Sequence, residues 1–479
     1  MSQWSFDVVV VGGGLAGLTV ANRCAEAGLK VAVLERGAEE RYPCNSRFAG
    51  GFLNCGYRYN IRETPQVLRH AIDEQTRGFA DPALAEVFSA HAGFAVDWLA
   101  AKGIRIVTVY VDGDKRRAVL APPPPNRPGL IWQGRGTDTM VRKLLVKLEQ
   151  GGGRIFRDTR AVELRMDGER CTGVAAVQGG ESVVFDAKAV VLADGGYQAN
   201  LELLKQYVSP APERLLQRNA QSGTGDGLRM ALKIGAQVRG MGRFYGHVQS
   251  IDALNNPLLW PHPVLDATLT AGIVVDQSGK RFADEGLGGI YFANAIAQQS
   301  DPLGTLAIFD DITWQGRARM FARPPNPFAV RVGATCHVAQ ALPELAAMAG
   351  LPVAALEQTV NRFNQSIADG NTQQLDPPRS ASPFKPVPVL KAPFYAMPLC
   401  AGITYTMGGV AIDPQCRVVH ENGKPIDGLY AAGSTTGGHE GGPVAGYTGG
   451  LSKALTFGWL AGRSIVESMG IRSEAVKSN

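Results

Sequence analysis

Val8-Val9-Val10-Val11-Gly12-Gly13-Gly14-Leu15-Ala16-Gly17, close to the start of the 479-residue chain, decides the fold. An apolar strand runs into a glycine turn, an Ala-rich helix follows, and a second strand, Val31 to Leu34, ends in Glu35. This is the βαβ dinucleotide fingerprint in the context it requires. Gly12 allows the tight turn, Gly14 lets the backbone approach a pyrophosphate, and Gly17 lets the helix lie close to the sheet. The helix N-terminus offers free N–H groups and partial positive charge to that pyrophosphate. Glu35 stands where a carboxylate binds ribose hydroxyls and disfavours a 2′-phosphate. The other half of the signature, Gly428 to Arg463, lies at the far end of the chain, so the middle is expected to be inserted above the cofactor.

Composition agrees with a large globular enzyme, since 45% of the residues are hydrophobic and 19% charged. A formal charge of +5 is small for this size, and without a Lys/Arg block nucleic-acid binding is not expected. The chain enters its first strand without a leader and has no apolar run of about 18 residues, so a cytoplasmic protein without a transmembrane segment is expected. Its seven cysteines, Cys24, Cys44, Cys55, Cys171, Cys336, Cys400 and Cys416, lack CxxC spacing. Disulfide framework, zinc site, iron–sulfur cluster and attached haem are therefore not expected, and no metal ligands are assigned.

Outward from the fingerprint comes a loop, Arg41 to Tyr59, with Asn45-Ser46-Arg47 and Gly50-Gly51. Helical patterns run from Pro65 to Lys102, then a Pro-rich connection, Ala121 to Gly129, and a helix from Thr137 to Gly151. Strands are predicted over Arg154 to Arg165 and Thr172 to Val184. The run Ala189 to Ala193 reads as a buried parallel strand ending at Asp194-Gly195-Gly196. Thr224-Gly225-Asp226-Gly227 opens a helix over Leu228 to Ile234. From Arg243 to Thr404 the pattern changes to short strands such as Gly272 to Val275, helices at Leu342 to Ala349 and Val353 to Ala368, and proline clusters. The final helix is read over Leu451 to Met469, and residues after Ser473 as a polar tail.

The motifs Ala193-Asp194-Gly195-Gly196, Thr224-Gly225-Asp226-Gly227, Gly279-Lys280-Arg281-Phe282-Ala283-Asp284-Glu285, Thr406-Met407-Gly408-Gly409 and Leu429-Tyr430-Ala431-Ala432-Gly433 occur in a fixed order. That order resembles the fumarate reductase/succinate dehydrogenase flavoprotein superfamily, which includes 3-ketosteroid dehydrogenases and tricarballylate dehydrogenase. The resemblance implies an α/β fold: a Rossmann-like FAD-binding domain of glutathione-reductase type, residues 1–242 and 405–479, with an inserted α+β capping domain, residues 243–404. It implies FAD, noncovalent because the loop around Asn45 lacks the tethering histidine of succinate dehydrogenases. The cofactor contacts it implies are Gly12, Gly14, Leu15, Ala16, Gly17, Glu35, Arg36, Asn45, Ser46, Gly50, Gly51, Val162, Ala193, Asp194, Gly195, Asp226, Gly433, Ser434, Gly449, Leu451 and Ser452. Ser434 stands where many relatives have glutamate. Leu451 and Ser452 open the last helix, whose dipole favours negative charge on the flavin N1/O2 edge.

Three departures narrow the chemistry. The arginine that follows the RFxxE-type segment in fumarate reductases is absent from Gly286 to Tyr291, Tyr405 replaces a substrate-binding histidine, and the C-terminal arginine falls near Ala445. Fumarate or succinate chemistry is therefore disfavoured. Asn45-Ser46, His247 with Ile251-Asp252-Ala253, and Gly446-Tyr447-Thr448 most resemble tricarballylate dehydrogenase, which implies oxidation of a C–C single bond beside a carboxylate. Arg47 and Arg243 are candidate carboxylate binders, because a guanidinium grips both oxygens. His439 and Glu440 are a candidate orienting pair near the substrate.

FAD N5 accepts the hydride, so a base is needed for the proton. His247 and Tyr405 converge if the two domain crossings lie together; Tyr447 and Tyr291 follow as candidates. A tyrosine, with an ordinary pKa of about 10, needs a charged or hydrogen-bonded neighbour, whereas a histidine near 6.5 needs less help. The reading is an FAD-dependent CH–CH oxidoreductase of a small carbonyl or carboxylate substrate, its electrons passing to an acceptor that the sequence leaves open: protein, quinone or oxygen. Two alternatives stay open: a 3-ketosteroid-dehydrogenase-like desaturase, and a flavin electron-transfer subunit without its own substrate.

Overall fold

Strand Glu181–Leu192 lies beside the first strand, Ser2–Val11, and the two run parallel with Val8 opposite Ala189 and Val11 opposite Leu192. The computed structural model describes residues 2–54, 57–58, 61–62, 64–111, 115–320 and 324–471; Cys55 and the tail after Ser473 lie outside them. The first strand also pairs in parallel with Val31–Leu34, which pairs with Arg154–Phe156. Pro425–Ala431 joins on the opposite side, parallel to Glu181–Leu192, so the two ends of the chain meet in one sheet. Val8, Val9, Val10 and Val31 to Val33 are fully buried, as the continuous apolar runs of a doubly covered parallel sheet require.

The first helix, Leu15–Glu26, and the last, Gly450–Ser468, lie against each other on this sheet. Glycines set their approach: a Cβ on Gly458 would come within 2.7 Å of the Ala16 carbonyl oxygen, and one on Gly462 within 2.6 Å of the Arg23 Cβ. The helical pattern over Pro65 to Lys102 is two helices, Pro65–Thr76 and Pro82–Ala101. Each begins with proline behind a side-chain cap, Thr64 or Asp81.

The stretch expected as a strand over Thr172 to Val184 is instead a hairpin, Arg170–Gln178 and Glu181–Leu192. Gly179 and Gly180 take φ of +55° and +87° at its turn, a reversal that periodicity alone misses. The run Ala189 to Ala193 is the end of that second strand and reaches Asp194 as expected.

A second sheet is built on one long strand, Phe394–Thr406. Phe244–Ser250, Leu306–Asp310 and His337–Ala339 pair with it antiparallel, Leu216–Gln217 parallel, and Ile273–Val275 extends the edge. Helices Leu342–Met348 and Val353–Ala368 cover it with a separate core that includes Ile308, Leu356 and Phe363. Among the described residues, no helix is long and apolar enough to cross a membrane, no His/Cys/Asp/Glu cluster could hold a metal, and six cysteines are free.

Candidate active site

A groove of about 100 Å³ opens at the carboxyl end of the first strand, lined by Gly12 to Ala16, Glu35, Arg36, Asn45, Ser46, Ala193 to Gly195, Thr224, Asp226, Gly433 and Ser434. Gly12 has φ +104°, and a Cβ there would sit 2.5 Å from the Ala193 carbonyl oxygen. At Gly14 a Cβ would meet only Ser46 Oγ, at 3.3 Å, so the turn presents open backbone to a ligand. No side chain of the N-cap residue Gly14 satisfies the helix; Ser46 Oγ accepts from Leu15 N–H at 2.9 Å. Glu35 is buried and accepts from the N–H of Gly13 at 2.9 Å and of Gly37 at 2.8 Å. Burial pushes its pKa up against those donors. Glycine turn, helix N-terminus and acidic strand end together fit a dinucleotide.

The floor of the groove carries two more acids. Asp194 accepts from Gly227 N–H at 2.7 Å, and burial, with the like charge of Asp226, pushes its pKa up to about 6. Asp226 accepts from Arg160 at 2.8 Å and from Arg229 at 2.6 Å. Arg36 is exposed and reaches Thr224 Oγ1 at 2.7 Å.

A larger cavity of about 320 Å³ shares Asn45, Ser46, Ser434 and Ala454 with the groove. Gly50, Gly51 and Leu451 line it, as do His247, Tyr405 and Tyr447. The sheet register explains why they meet. Phe244–Ser250 runs antiparallel to Phe394–Thr406, with Tyr245 opposite Tyr405 and His247 opposite Gly402. Residues two apart on a strand share a face, so Tyr245, His247 and Tyr405 converge.

Tyr245 Oη lies 3.0 Å from His247 Nε2, and His247 Nδ1 lies 2.5 Å from Asp266 Oδ2. Tyr447 stacks on Tyr245 with ring centroids 4.1 Å apart, and its hydroxyl accepts from Gly450 N–H at 3.2 Å. Tyr405 donates to the carboxylate of Glu440, 3.0 Å from each oxygen. Burial raises the pKa of all three tyrosines; Arg218 opposes the rise at Tyr245. Tyr245, Asp266, Arg135, Arg218 and His262 were not read as site residues from the sequence. The spacing of two between Tyr245 and His247 was the signal for Tyr245, whereas Arg135, Arg218 and His262 reach the cavity, and Asp266 reaches His247, through tertiary structure alone.

A family model described as an FAD binding domain matches residues 7–449. The chain belongs to this FAD-binding family. It is a flavoprotein of the fumarate reductase/succinate dehydrogenase superfamily, an FAD-dependent oxidoreductase. It is similar to the NADH:acrylate oxidoreductase of Vibrio harveyi, with 28% identity over 96% of this chain and 50% of the relative. The fumarate reductase (cytochrome) of Shewanella frigidimarina is 28% identical over 95% of this chain and 76% of the relative. The chain thus spans only half the length of the first of these. In fold it resembles 3-ketosteroid delta1-dehydrogenase from Sterolibacterium denitrificans, with a TM-score of 0.75 and 21% identity over 97% of this chain and 100% of that one. The open form of a flavocytochrome c3 fumarate reductase gives 0.68 and 23% over 97% and 78%.

Several expected site residues of the flavoprotein lie elsewhere. Arg47 is fully buried and paired with Asp138 beneath the rings of Tyr42 and Trp132, so its charge is already matched and it lines neither cavity. Arg243 donates to the carbonyls of Gly442 at 3.0 Å and Gly242 at 3.2 Å, and Tyr291 is half-buried; both stand outside the lining. His439 is fully buried between Phe88 and Phe457, and burial lowers its pKa to about 3. Glu440 is fully buried behind Tyr405, bound by Lys453 Nζ at 3.2 Å. It anchors a lining residue without lining the cavity itself. Val162 is 41% exposed because the strand alternates and its neighbour Ala161 takes the inward face. Gly17 abuts the turn at the Gly12 carbonyl, and Ser452 Oγ accepts from Asn54 N–H at 2.8 Å. Gly449, at φ +117°, turns the chain into the last helix. These three shape the site from outside its lining.

Proposed function

We propose that this flavoprotein oxidises or reduces the bond between two carbons next to a carbonyl or carboxylate group of a compact substrate bound in the larger cavity. The observation that carries this reading is the Tyr245–His247–Asp266 chain of hydrogen bonds, which ends in that cavity. FAD, held noncovalently along the glycine groove, supplies the hydride acceptor. With Nδ1–H donated to Asp266, His247 keeps the Nε2 lone pair facing the Tyr245 hydroxyl. As Tyr245 Oη takes a proton from the substrate, the hydroxyl passes its own proton to His247 Nε2, and Asp266 stabilises the imidazolium that results. The relay spares Tyr245 a free tyrosinate, which its burial makes costly. Tyr447 and Tyr405 form the wall beside it, the hydroxyl of Tyr405 being committed to Glu440.

The names of the relatives, an acrylate and a fumarate reductase, support a small acid; the resemblance of Asn45-Ser46, His247 and Gly446-Tyr447-Thr448 to tricarballylate dehydrogenase motifs favours the oxidative direction. A second reading, desaturation of a cyclic ketone, is favoured by the apolar part of the lining, Phe48, Phe52, Leu130, Ile131 and Trp260. The test is anaerobic rapid mixing of the FAD-loaded protein with panels of small carboxylates and of 3-ketosteroids, watching the visible flavin band. Bleaching by one panel names the class, and Tyr245→Phe should slow it by about 10²–10⁴-fold. If dithionite bleaches the flavin and neither panel does, the dehydrogenase direction fails and a reductase or an electron-transfer subunit remains. A Tyr245→Phe rate within about fivefold of wild type removes the relay.

A further inference from the structure

Besides the exposed Arg127, two buried guanidinium groups and an imidazole outside the Tyr245–His247–Asp266 chain line the larger cavity. Arg135 is 8% exposed; Nη1 donates to the Ile131 carbonyl at 2.5 Å and Nη2 to that of Ala49 at 3.3 Å, while Nε is shut off from solvent with no partner. Arg218 is 7% exposed; Nε and Nη2 share the Pro261 carbonyl at 3.2 and 3.1 Å, and Nη1 donates to Thr404 Oγ1 at 2.7 Å. His262 Nδ1 is likewise shut off and unpartnered. Among the described residues no carboxylate pairs with either guanidinium. Asp266, which Arg218 senses at longer range, already accepts from His247 Nδ1 at 2.5 Å and Val248 N–H at 3.1 Å.

The three groups lie within one another's fields. Burial pulls Arg135 down to about 10, and His262 is held well below an ordinary imidazole by burial and by the positive charges of Arg218 and Arg135. Burying two cations against neutral oxygens alone is costly, and an anion entering the cavity offsets that cost.

We propose that Arg135, Arg218 and His262 form a subsite that grips a carboxylate of the substrate; this deepens the CH–CH oxidoreductase reading and rests on it for the identity of the bound acid as substrate. A guanidinium presents paired N–H groups to the two oxygens of a carboxylate, and neutral His262 can add an N–H. The FAD pyrophosphate is not the anion served here, because none of the three residues lines the glycine groove. Phe48, Leu130 and Trp260 border the same cavity, so the ligand is a compact acid with an apolar body.

The test titrates the FAD-loaded protein with propionate, succinate and cyclohexanecarboxylate, each against its neutral amide, and reads the flavin difference spectrum at low and high salt. At least one acid should bind about tenfold or more tightly than its amide, with an advantage that shrinks as salt rises. Arg135→Gln and Arg218→Gln should each erase about tenfold of that affinity and leave amide binding unchanged. If no acid outbinds its amide, or if the glutamine variants hold FAD and bind the acid as wild type does, the subsite is overturned. Where a variant loses its flavin, the acid–amide comparison and its salt response in wild-type protein decide. Acids that bind through Arg135 and Arg218 yet never bleach the flavin, and whose α,β-unsaturated counterparts never reoxidise the dithionite-reduced flavin, would keep the subsite and sink the oxidoreductase reading. Bleaching by neutral ketones alone, indifferent to Arg135, would do the reverse.

Discussion

Replacing Lys453 with methionine removes a fully buried ammonium from the last helix at nearly constant volume. Nζ donates to the Thr436 carbonyl at 2.8 Å and to Glu440 Oε1 at 3.2 Å. Without it Glu440 stays fully buried with neutral partners only: the Tyr405 hydroxyl and, at 3.4 and 3.5 Å, the hydroxyl and N–H of Thr448. Deleting one member of such a pair costs about 3–5 kcal/mol, and the orphaned Thr436 carbonyl places Lys453→Met in the upper part of that range. Total stabilities are of order 5–15 kcal/mol, so the loss is large. Glu440→Gln relieves the stranded charge, so the double variant should be more stable than the summed single effects imply by about 2 kcal/mol. Urea unfolding at fixed FAD concentration, followed by flavin fluorescence, measures all four corners of the cycle. A cost below about 1 kcal/mol for Lys453→Met, or strict additivity, would refute the claim that this pair holds Tyr405 in place.

Gly12→Ala forces a side chain into a φ of +104° and 2.5 Å from the Ala193 carbonyl, so the purified variant should carry little FAD; wild-type flavin content would contradict the geometry. Gly14→Ala meets only Ser46 Oγ, at 3.3 Å, and should fold normally while binding FAD more weakly, which a flavin titration separates from misfolding. Asp194 holds its proton up to about pH 6 in the folded chain, against about 3.9 when unfolded. Flavin-free protein should therefore gain stability from this residue as pH falls through 6, the gain being complete below about 4. Asp194→Asn should remove that slope between pH 7 and 5, and a slope of opposite sign in the wild type would overturn the assignment.

The parts of the fold legible in the sequence are those held by local rules. The strand Val31–Leu34 has the predicted bounds, and helices expected from apolar periodicity appear within a residue or two. The first strand begins earlier than its apolar run because Ser2 to Phe6 extend the ladder against Val183 to Ala187. Pairing partners, not side chains, lengthen it. The turn at Gly179-Gly180 was missed because alternation continues on both sides of it.

Local order along the chain determined the cofactor groove: a strand, a glycine turn, a helix and an acidic strand end are neighbours in sequence, so their spacing carries their geometry. The arginines expected to hold a carboxylate show where that logic stops. Arg47 is consumed by Asp138, ninety-one positions away, and Arg243 by loop carbonyls. Arg135 and Arg218 reach the cavity from segments with no motif. Only the tertiary structure could set Tyr245 opposite Tyr405 and bring Asp266 to His247. Strand register and burial decide which charges find a partner and which remain facing a ligand, and both depend on contacts between residues far apart in the chain.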